Sequence, residues 1–237
     1  MTVRLDRLLS TSGISRAEAR LAIRAGRVRV NGEVVRDAGA HAEAGDVLVD
    51  GRPLELPGEL YLMLNKPAGV VTAARDNVSD TVFSLLPDAI RRRDPSPVGR
   101  LDKDVTGLLL FTTDGELLHR LISPKRTVEK VYLASVEGTP DAGDARVFAE
   151  GVPLSDFTAK PSKLEVVGDG LALATVTEGK FHQVKRMFAA IGHPVLSLKR
   201  LSVGGVTLDP ALPEGGFRML NESEVSALYA AAGLERK

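Results

Sequence analysis

The 237-residue chain contains no cysteine and no tryptophan, and aromatic residues make up only 4% of it. Without a thiol there is no disulfide, no thiolate metal site and no cysteine nucleophile, a composition at home in a reducing compartment. The four histidines, at 41, 119, 182 and 193, show none of the paired spacings of a zinc centre, so no metal is expected. Net charge is missing too: 31 basic residues stand against 31 acidic ones, and any affinity for nucleic acid must come from where the charge sits. No run approaches the roughly 18 apolar residues of a membrane span, and the start, MTVRLDRLLSTSG, lacks the apolar stretch of a signal peptide. A cytoplasmic protein without membrane contact is expected. Serine-hydrolase G-x-S-x-G motifs are absent, and no phosphate-cradling glycine loop opens a helix, so no cofactor is expected either. What is present, 43% hydrophobic and 26% charged residues, is the composition of a globular protein, at a length that suits two unequal domains.

Charge is unevenly spread. Met1 to Arg36 carries eight arginines against Asp6, Glu18 and Glu33, and Lys180 to Arg200 carries five basic residues and no acid. In RLDRLLSTSG, Leu5, Leu8 and Leu9 have helical spacing, with Gly13 placed to end the helix. Ser15 and Glu18 of SRAE have the spacing of a capping box, which opens a second helix that Gly26 stops. Along that helix Arg16, Arg20 and Arg24 recur every four residues, which predicts one basic stripe with Arg27 just beyond its end. RVRVNGEVV then predicts a hairpin, because Asn31 and Gly32 tolerate the positive φ of a type I′ turn, and GDVLVDG predicts one more strand. An isolated arginine stripe is most often a solvated face. Here helix, capped basic helix and hairpin follow in an order that resembles the S4 domain, a small RNA-binding module, over about Val3 to Gly51.

RPLELPGE, with Pro53, Pro57 and Gly58, marks a boundary. The expected domains are 1–56 and 57–237. Beyond it, strands are predicted from Leu60 and near 108–113, 131–137, 163–167 and 171–177, with helices around 115–122, 141–149, 181–191 and 222–232. The spacing is not the regular βαβ of a doubly wound sheet, so the expected class is α+β, a mixed and largely antiparallel sheet with flanking helices. Three positions have the chemistry for a shared site: Asp102 in GRLD, Tyr132 in EKVYLASV, and Lys185 in EGKFHQVKRMFAAIG. In that last segment Val184, Met187, Phe188 and Ile191 form the buried stripe, leaving His182, Lys185 and Ala189 on a flank. Singly, each has an ordinary structural reading, as a turn cap, a core tyrosine and a solvated lysine. Asp102 and Asp104 have the residue types of a magnesium or glycosidase pair, but no third carboxylate clusters near them.

Taken together, GRLDKDVTGLLLFTTDGEL, KVYLASVEG and EGKFHQVKRMFAAIGHPVLSL resemble the RsuA-type ribosomal pseudouridine synthases, which also carry an N-terminal S4 domain. The likeness spans essentially the whole chain, and EGKFHQVKRMFAA is closer to the small-subunit (16S) rRNA enzymes than to their large-subunit relatives. The resemblance implies Asp102 as the catalytic carboxylate and Arg100 as an RNA-holding residue beside it. It implies Tyr132 against the uracil ring, where the C5 proton leaves, and Lys185 as the cation that keeps Asp102 ionised, with Asp104 in a supporting role. Val105 departs from the pattern, which often has a hydroxyl residue there. The same resemblance makes RNA contacts of Arg4, Arg16, Arg20, Arg24 and Arg27 in the first domain, and of Lys180, Arg186, Lys199 and Arg200 in the second. The activity so implied is isomerisation of one uridine in 16S rRNA, by a monomer acting on a small-subunit assembly intermediate, without metal or cofactor. A large-subunit (23S) synthase, a silent ribosome-assembly protein and a nucleoside hydrolase are the alternatives.

Overall fold

The computed structural model describes residues 2–73, 76 and 79–236. The chain divides into two units, Met1–Leu60 with Leu86–Pro95, and Tyr61–Leu85 with Ser96–Lys237. The first unit thus runs to Leu60 and also takes in a ten-residue segment, Leu86–Pro95, from within the expected second domain.

In the first unit β1 (Val3–Arg4) leads into α1 (Leu5–Thr11) and α2 (Arg16–Arg24). A four-stranded sheet follows, made of β2 (Val28–Val30), β3 (Glu33–Val34), β5 (Val47–Val49) and β6 (Arg52–Pro53), while β4 (His41–Ala42) pairs with β1. The capping box that opens α2 is complete: Ser15 accepts from the amide of Glu18, and Glu18 accepts from the amide of Ser15 at 2.8 Å. Asn31 and Gly32 both take positive φ, 52° and 84°, as a type I′ hairpin turn demands. Leu5, Leu8 and Leu9 of α1 pack with Ala19, Ala22 and Ile23 of α2 over Val28 and Val47. Fully burying each large aliphatic side chain is worth about 1.5–3 kcal/mol, which is what a unit this small has to stand on. α3 (Asp88–Arg92) lies in the segment 86–95.

The second unit is built on a nine-stranded sheet. Its strands are β7 (Tyr61–Lys66), β8 (Ser96–Pro97), β9 (Thr106–Thr112), β10 (Lys130–Val136), β11 (Lys163–Gly168), β12 (Leu171–Val176), β13 (Val195–Val203), β14 (Val206–Thr207) and β15 (Phe217–Met219). They run in the order β11-β12-β10-β13-β9-β7-β15, with β8 on β9 and β14 on β13. Around them lie α4 (Gly115–Ile122), α5 (Ala142–Glu150), α6 (Gln183–Ala190) and α7 (Glu222–Ala232). The sheet is antiparallel except where β13 runs parallel to β9. Strand β9 is buried on both faces, which explains its continuous Leu-Leu-Leu-Phe run. Leu108 and Leu110 meet Leu117 and Leu121 of α4 and Leu228 of α7, while the Phe111 ring meets Phe83 edge-on at 5.6 Å.

The expected strands and helices of this unit are all found, within a few residues at their ends. Strand β13, at the centre of the sheet, was not expected. Its burial is irregular along its length, and Lys199 and Arg200 in its middle break the apolar signature of a central strand. Gly107 lets β13 approach, since it sits at φ 97° with Arg200's backbone occupying the space a Cβ would need.

Candidate active site

The loop between β8 and β9 carries Arg100, Asp102 and Asp104. Leu101 and Val105 are buried and pin it, while Arg100 and Asp104 point outward and Asp102 is half-buried. Polar anchors hold the loop from below. The hydroxyl of Thr72 donates to the Leu101 carbonyl at 2.9 Å and accepts from its amide at 3.2 Å. Lys66, wholly buried at the end of β7, donates from Nζ to the carbonyls of Pro67, Lys103 and Val105 at 3.0, 3.3 and 2.8 Å. Burial pushes its ammonium down to about 8, against the pull of Asp104 and Asp102. A buried cation thus ties together the chain on both sides of Asp104. No sequence period marks Lys66; its position at the end of an apolar strand, just before Pro67, was the available signal.

Helix α6 brings the second half of the site. Val184, Met187 and Phe188 bury its inner face, and Lys185 emerges at its side. Lys185 Nζ donates to both oxygens of Asp104, at 2.6 and 2.8 Å, and lies 3.6 Å from Asp102 Oδ2. The cation expected to serve Asp102 is therefore shared, with Asp104 as its nearer partner. This contact with Lys185, its largest influence, holds the Asp104 carboxyl below the usual range. His182 Nε2 lies 3.5 Å from the same Asp102 oxygen. The backbone of His182 is left-handed, at φ 49°, and its ring stacks on Phe181 with centroids 3.8 Å apart. Behind them Gln183 donates to Glu178 at 2.6 Å, fixing the helix entry.

Tyr132, on β10 and 8% exposed, completes the enclosure. Arg100, Asp102, Tyr132, His182 and Lys185 line one cavity of about 460 Å³, walled on its apolar side by Leu101, Val105, Val176 and Leu198. A carboxylate with the Lys185 ammonium and the His182 ring within 4 Å, beside an aromatic wall and an apolar side, suits covalent attack on a planar base. Among the described residues no group of three His, Cys, Asp or Glu side chains could hold a metal ion.

The other basic residues do not behave as one surface. Arg4 and Arg20 both bind Asp6, a buried carboxylate, at 3.2 and 3.4 Å, and the bond from Arg4 is the main reason its carboxyl lies below the usual range. Arg27 is paired with Asp50. Of the predicted stripe, Arg16 and Arg24 remain on the outer face, with no ion pair among the described residues. In the second unit the Lys180 ammonium sits over the Phe157 ring, 3.4 Å from its centroid, and Arg186 pairs with Asp156. Lys199 is half-buried and Arg200 only 2% exposed, so the run 180–200 is not a continuous solvated face.

Arg100, Asp102, Tyr132, His182 and Lys185 fall within a family model described as RNA pseudouridylate synthase, which matches residues 60–190, more than half of the chain. The chain belongs to the RNA pseudouridylate synthase family. An S4 domain model matches residues 3–48, the first unit's helices and hairpin. An uncharacterized RNA pseudouridine synthase of Bacillus subtilis is 42% identical, the alignment covering 95% of this chain and 98% of that protein. Ribosomal small subunit pseudouridine synthase A of Escherichia coli is also 42% identical, over 95% of this chain and 100% of its own. A crystal structure of a pseudouridylate synthase matches with a TM-score of 0.68 at 36% identity, over 95% of this chain and 99% of that one. The synthase is thus an RNA-modifying enzyme with an appended S4 domain. Among its described residues no helix is long and apolar enough to cross a membrane.

Proposed function

We propose that this synthase isomerises one uridine of 16S ribosomal RNA to pseudouridine, with Asp102 as the nucleophile. The observation that carries this reading is the convergence of Asp102, Tyr132, Lys185 and Arg100 on one apolar-walled cavity, from three separate parts of the chain. Small-subunit RNA as substrate rests on the relatives named ribosomal small subunit pseudouridine synthase A, 42% identical in Escherichia coli and 40% in Vibrio cholerae. The substrate form is an assembly intermediate in the cytoplasm, where the target uridine is still accessible. On this reading the enzyme acts as a monomer.

The reaction has no net change in atoms. The N1–C1′ bond breaks, the uracil turns, C5 bonds to C1′, and the C5 proton passes to N1 by way of the site and solvent. Asp102 attacks as a carboxylate, the bond it forms to C1′ replacing N1–C1′ and breaking again as C5 bonds to C1′, and Lys185 offsets the loss of solvation at the apolar walls. On this reading Tyr132 forms the wall against which the detached base turns, and its phenolic oxygen takes part in removing the C5 proton. Arg100, exposed at the rim, holds the RNA with the uridine out of its stack, at a cost of a few kcal/mol that phosphate contacts elsewhere offset. The test is tritium release from rRNA labelled at uridine C5, offered both free and in ribosomal assembly intermediates. Release from 16S rRNA by the wild type and none by a folded Asp102→Asn variant is the expected result. Release from 23S rRNA alone moves the substrate, and none from either RNA defeats the proposal.

A further inference from the structure

Beside the cavity lies a second groove, of about 960 Å³ against 460 Å³, which shares Arg100, Tyr132, Glu178 and Lys180 with it and is lined further on by Lys130 and Arg200. Its floor is apolar, from Leu121, Ile122 and Pro124, and Ile122 is half-exposed there without reaching the core. Four cations face or back this space against one carboxylate, Glu178, which is already occupied by the amides of Lys160 and Gln183 at 2.8 and 2.6 Å. Lys130 Nζ donates to the Val128 carbonyl at 2.9 Å and has no ion pair among the described residues. Burial and the charge of Arg200 together press its ammonium down to about 8. Arg200 donates from Nε to the Leu108 carbonyl at 2.7 Å, while its buried Nη2 has no partner.

This placement is specific to the fold. The pairing of β10 with β13 shifts register between Val131 and Tyr132, so that β13 bulges at Leu201 and Arg200 comes directly opposite Tyr132. Paired residues share a face, and bulges next to active sites re-aim side chains. Lys130 precedes Tyr132 by two residues on the same face, about 7 Å along the strand, the reach of a single nucleotide. A buried guanidinium and a desolvated ammonium without a carboxylate are unfavourable in the empty protein, and both are relieved when an anion arrives.

We propose that this groove is the subsite for the nucleotide adjoining the target uridine, with Lys130 contacting its phosphodiester, Arg200 supplying charge from behind, and Leu121, Ile122 and Pro124 receiving its sugar or base. The subsite rests on the RNA-modifying reading above and adds a second point that fixes which uridine enters the cavity. Lys130 is a positioning residue, not a catalytic one.

The experiment compares wild type, Lys130→Met and Lys130→Arg on transcribed 16S rRNA bearing random phosphate ethylation, separating bound from free RNA and mapping the phosphates whose ethylation blocks binding. The wild type is expected to show a block at a phosphate adjoining the uridine converted in parallel tritium assays. Lys130→Met loses that block and about tenfold in affinity, and the salt dependence falls by about one phosphate contact. Lys130→Arg retains the block. An unchanged ethylation map and salt slope in Lys130→Met, or a lost block remote from the converted uridine, overturns the proposal. Absence of tritium release would defeat the enzymatic reading alone, because the ethylation map is read from binding and still reports whether Lys130 holds a phosphate.

Discussion

Replacing Lys185 by Met removes the cation shared between Asp102 and Asp104 while keeping the length of the side chain. Its Nζ lies 3.6 Å from Asp102 Oδ2. Two unit charges at that distance attract by about 4.6 kcal/mol at an effective dielectric of about 20, and by about 1.2 kcal/mol in bulk water. The two side chains are 24% and 31% exposed, so the interaction lies between those limits. Converted at 1.36 kcal/mol per tenfold, the limits are about sevenfold and about two-thousandfold in rate, and a loss of about a hundredfold in kcat/KM is expected. The His182 ring, 3.5 Å from the same oxygen, remains beside Asp102 in the variant. The freed Asp104 adds to the loss, because a second carboxylate without its partner then faces the nucleophile. Single-turnover tritium release across pH 5 to 9 is the assay. Lys185→Met should show the defect in rate with RNA affinity little changed, and Lys185→Arg should recover most of the rate. A kcat/KM within fivefold of wild type, with a rate profile of the same shape, would refute the reasoning and leave Asp102 to be sustained by other groups.

Lys66 carries a pH-dependent stability. Its folded value, about 8, lies below the ordinary 10.5 because of burial. The unfolded chain therefore binds more protons between those values, and stability should rise as pH climbs from about 8 toward 10.5, by at most about 3 kcal/mol from this residue. Lys130 contributes in the same direction, discounted because it is only part-buried. Urea midpoints measured at pH 7.5, 9 and 10 should rise less in Lys66→Met than in wild type, and equal slopes would rule the account out. In the S4 domain, Arg16→Glu with Arg24→Glu should weaken RNA binding about tenfold or more and flatten its salt dependence while thermal stability holds. Arg20→Glu should instead lower the melting temperature, because it places a second carboxylate against buried Asp6. Filter binding across a salt series with parallel melting curves distinguishes the two, and equal effects of both variants on stability would contradict this division of the stripe.

Much of the architecture could be read along the chain because its signals are local. The Ser15–Glu18 capping box, the Asn31–Gly32 turn and the helix from Gly115 each depend on residues three or four apart, and the structure has all three. The pattern around Asp102, Tyr132 and Lys185 also pointed to a site, and one cavity receives them all. What the pattern did not carry was how charges are partnered. The stripe of Arg16, Arg20 and Arg24 looks uniform on a helical wheel, yet Arg20 turns to Asp6 because α1 packs alongside and buries that carboxylate. Lys199 and Arg200 read as part of a basic run, but they lie mid-strand in a sheet whose centre excludes solvent from Arg200.

The sequence by itself determined most of the elements, because periodicity, caps and turns act within a few residues, and its likeness to a known family singled out the Asp102 loop. Tertiary structure alone decided that Lys185 divides itself between two aspartates 81 and 83 residues away, that Lys66 braces their loop from beneath, and that a bulge in β13 sets Arg200 behind Tyr132. The physical reason is common to all three. Electrostatic partnership depends on distance and solvent exclusion, and both are set by which strands and helices pack together rather than by any spacing along the chain.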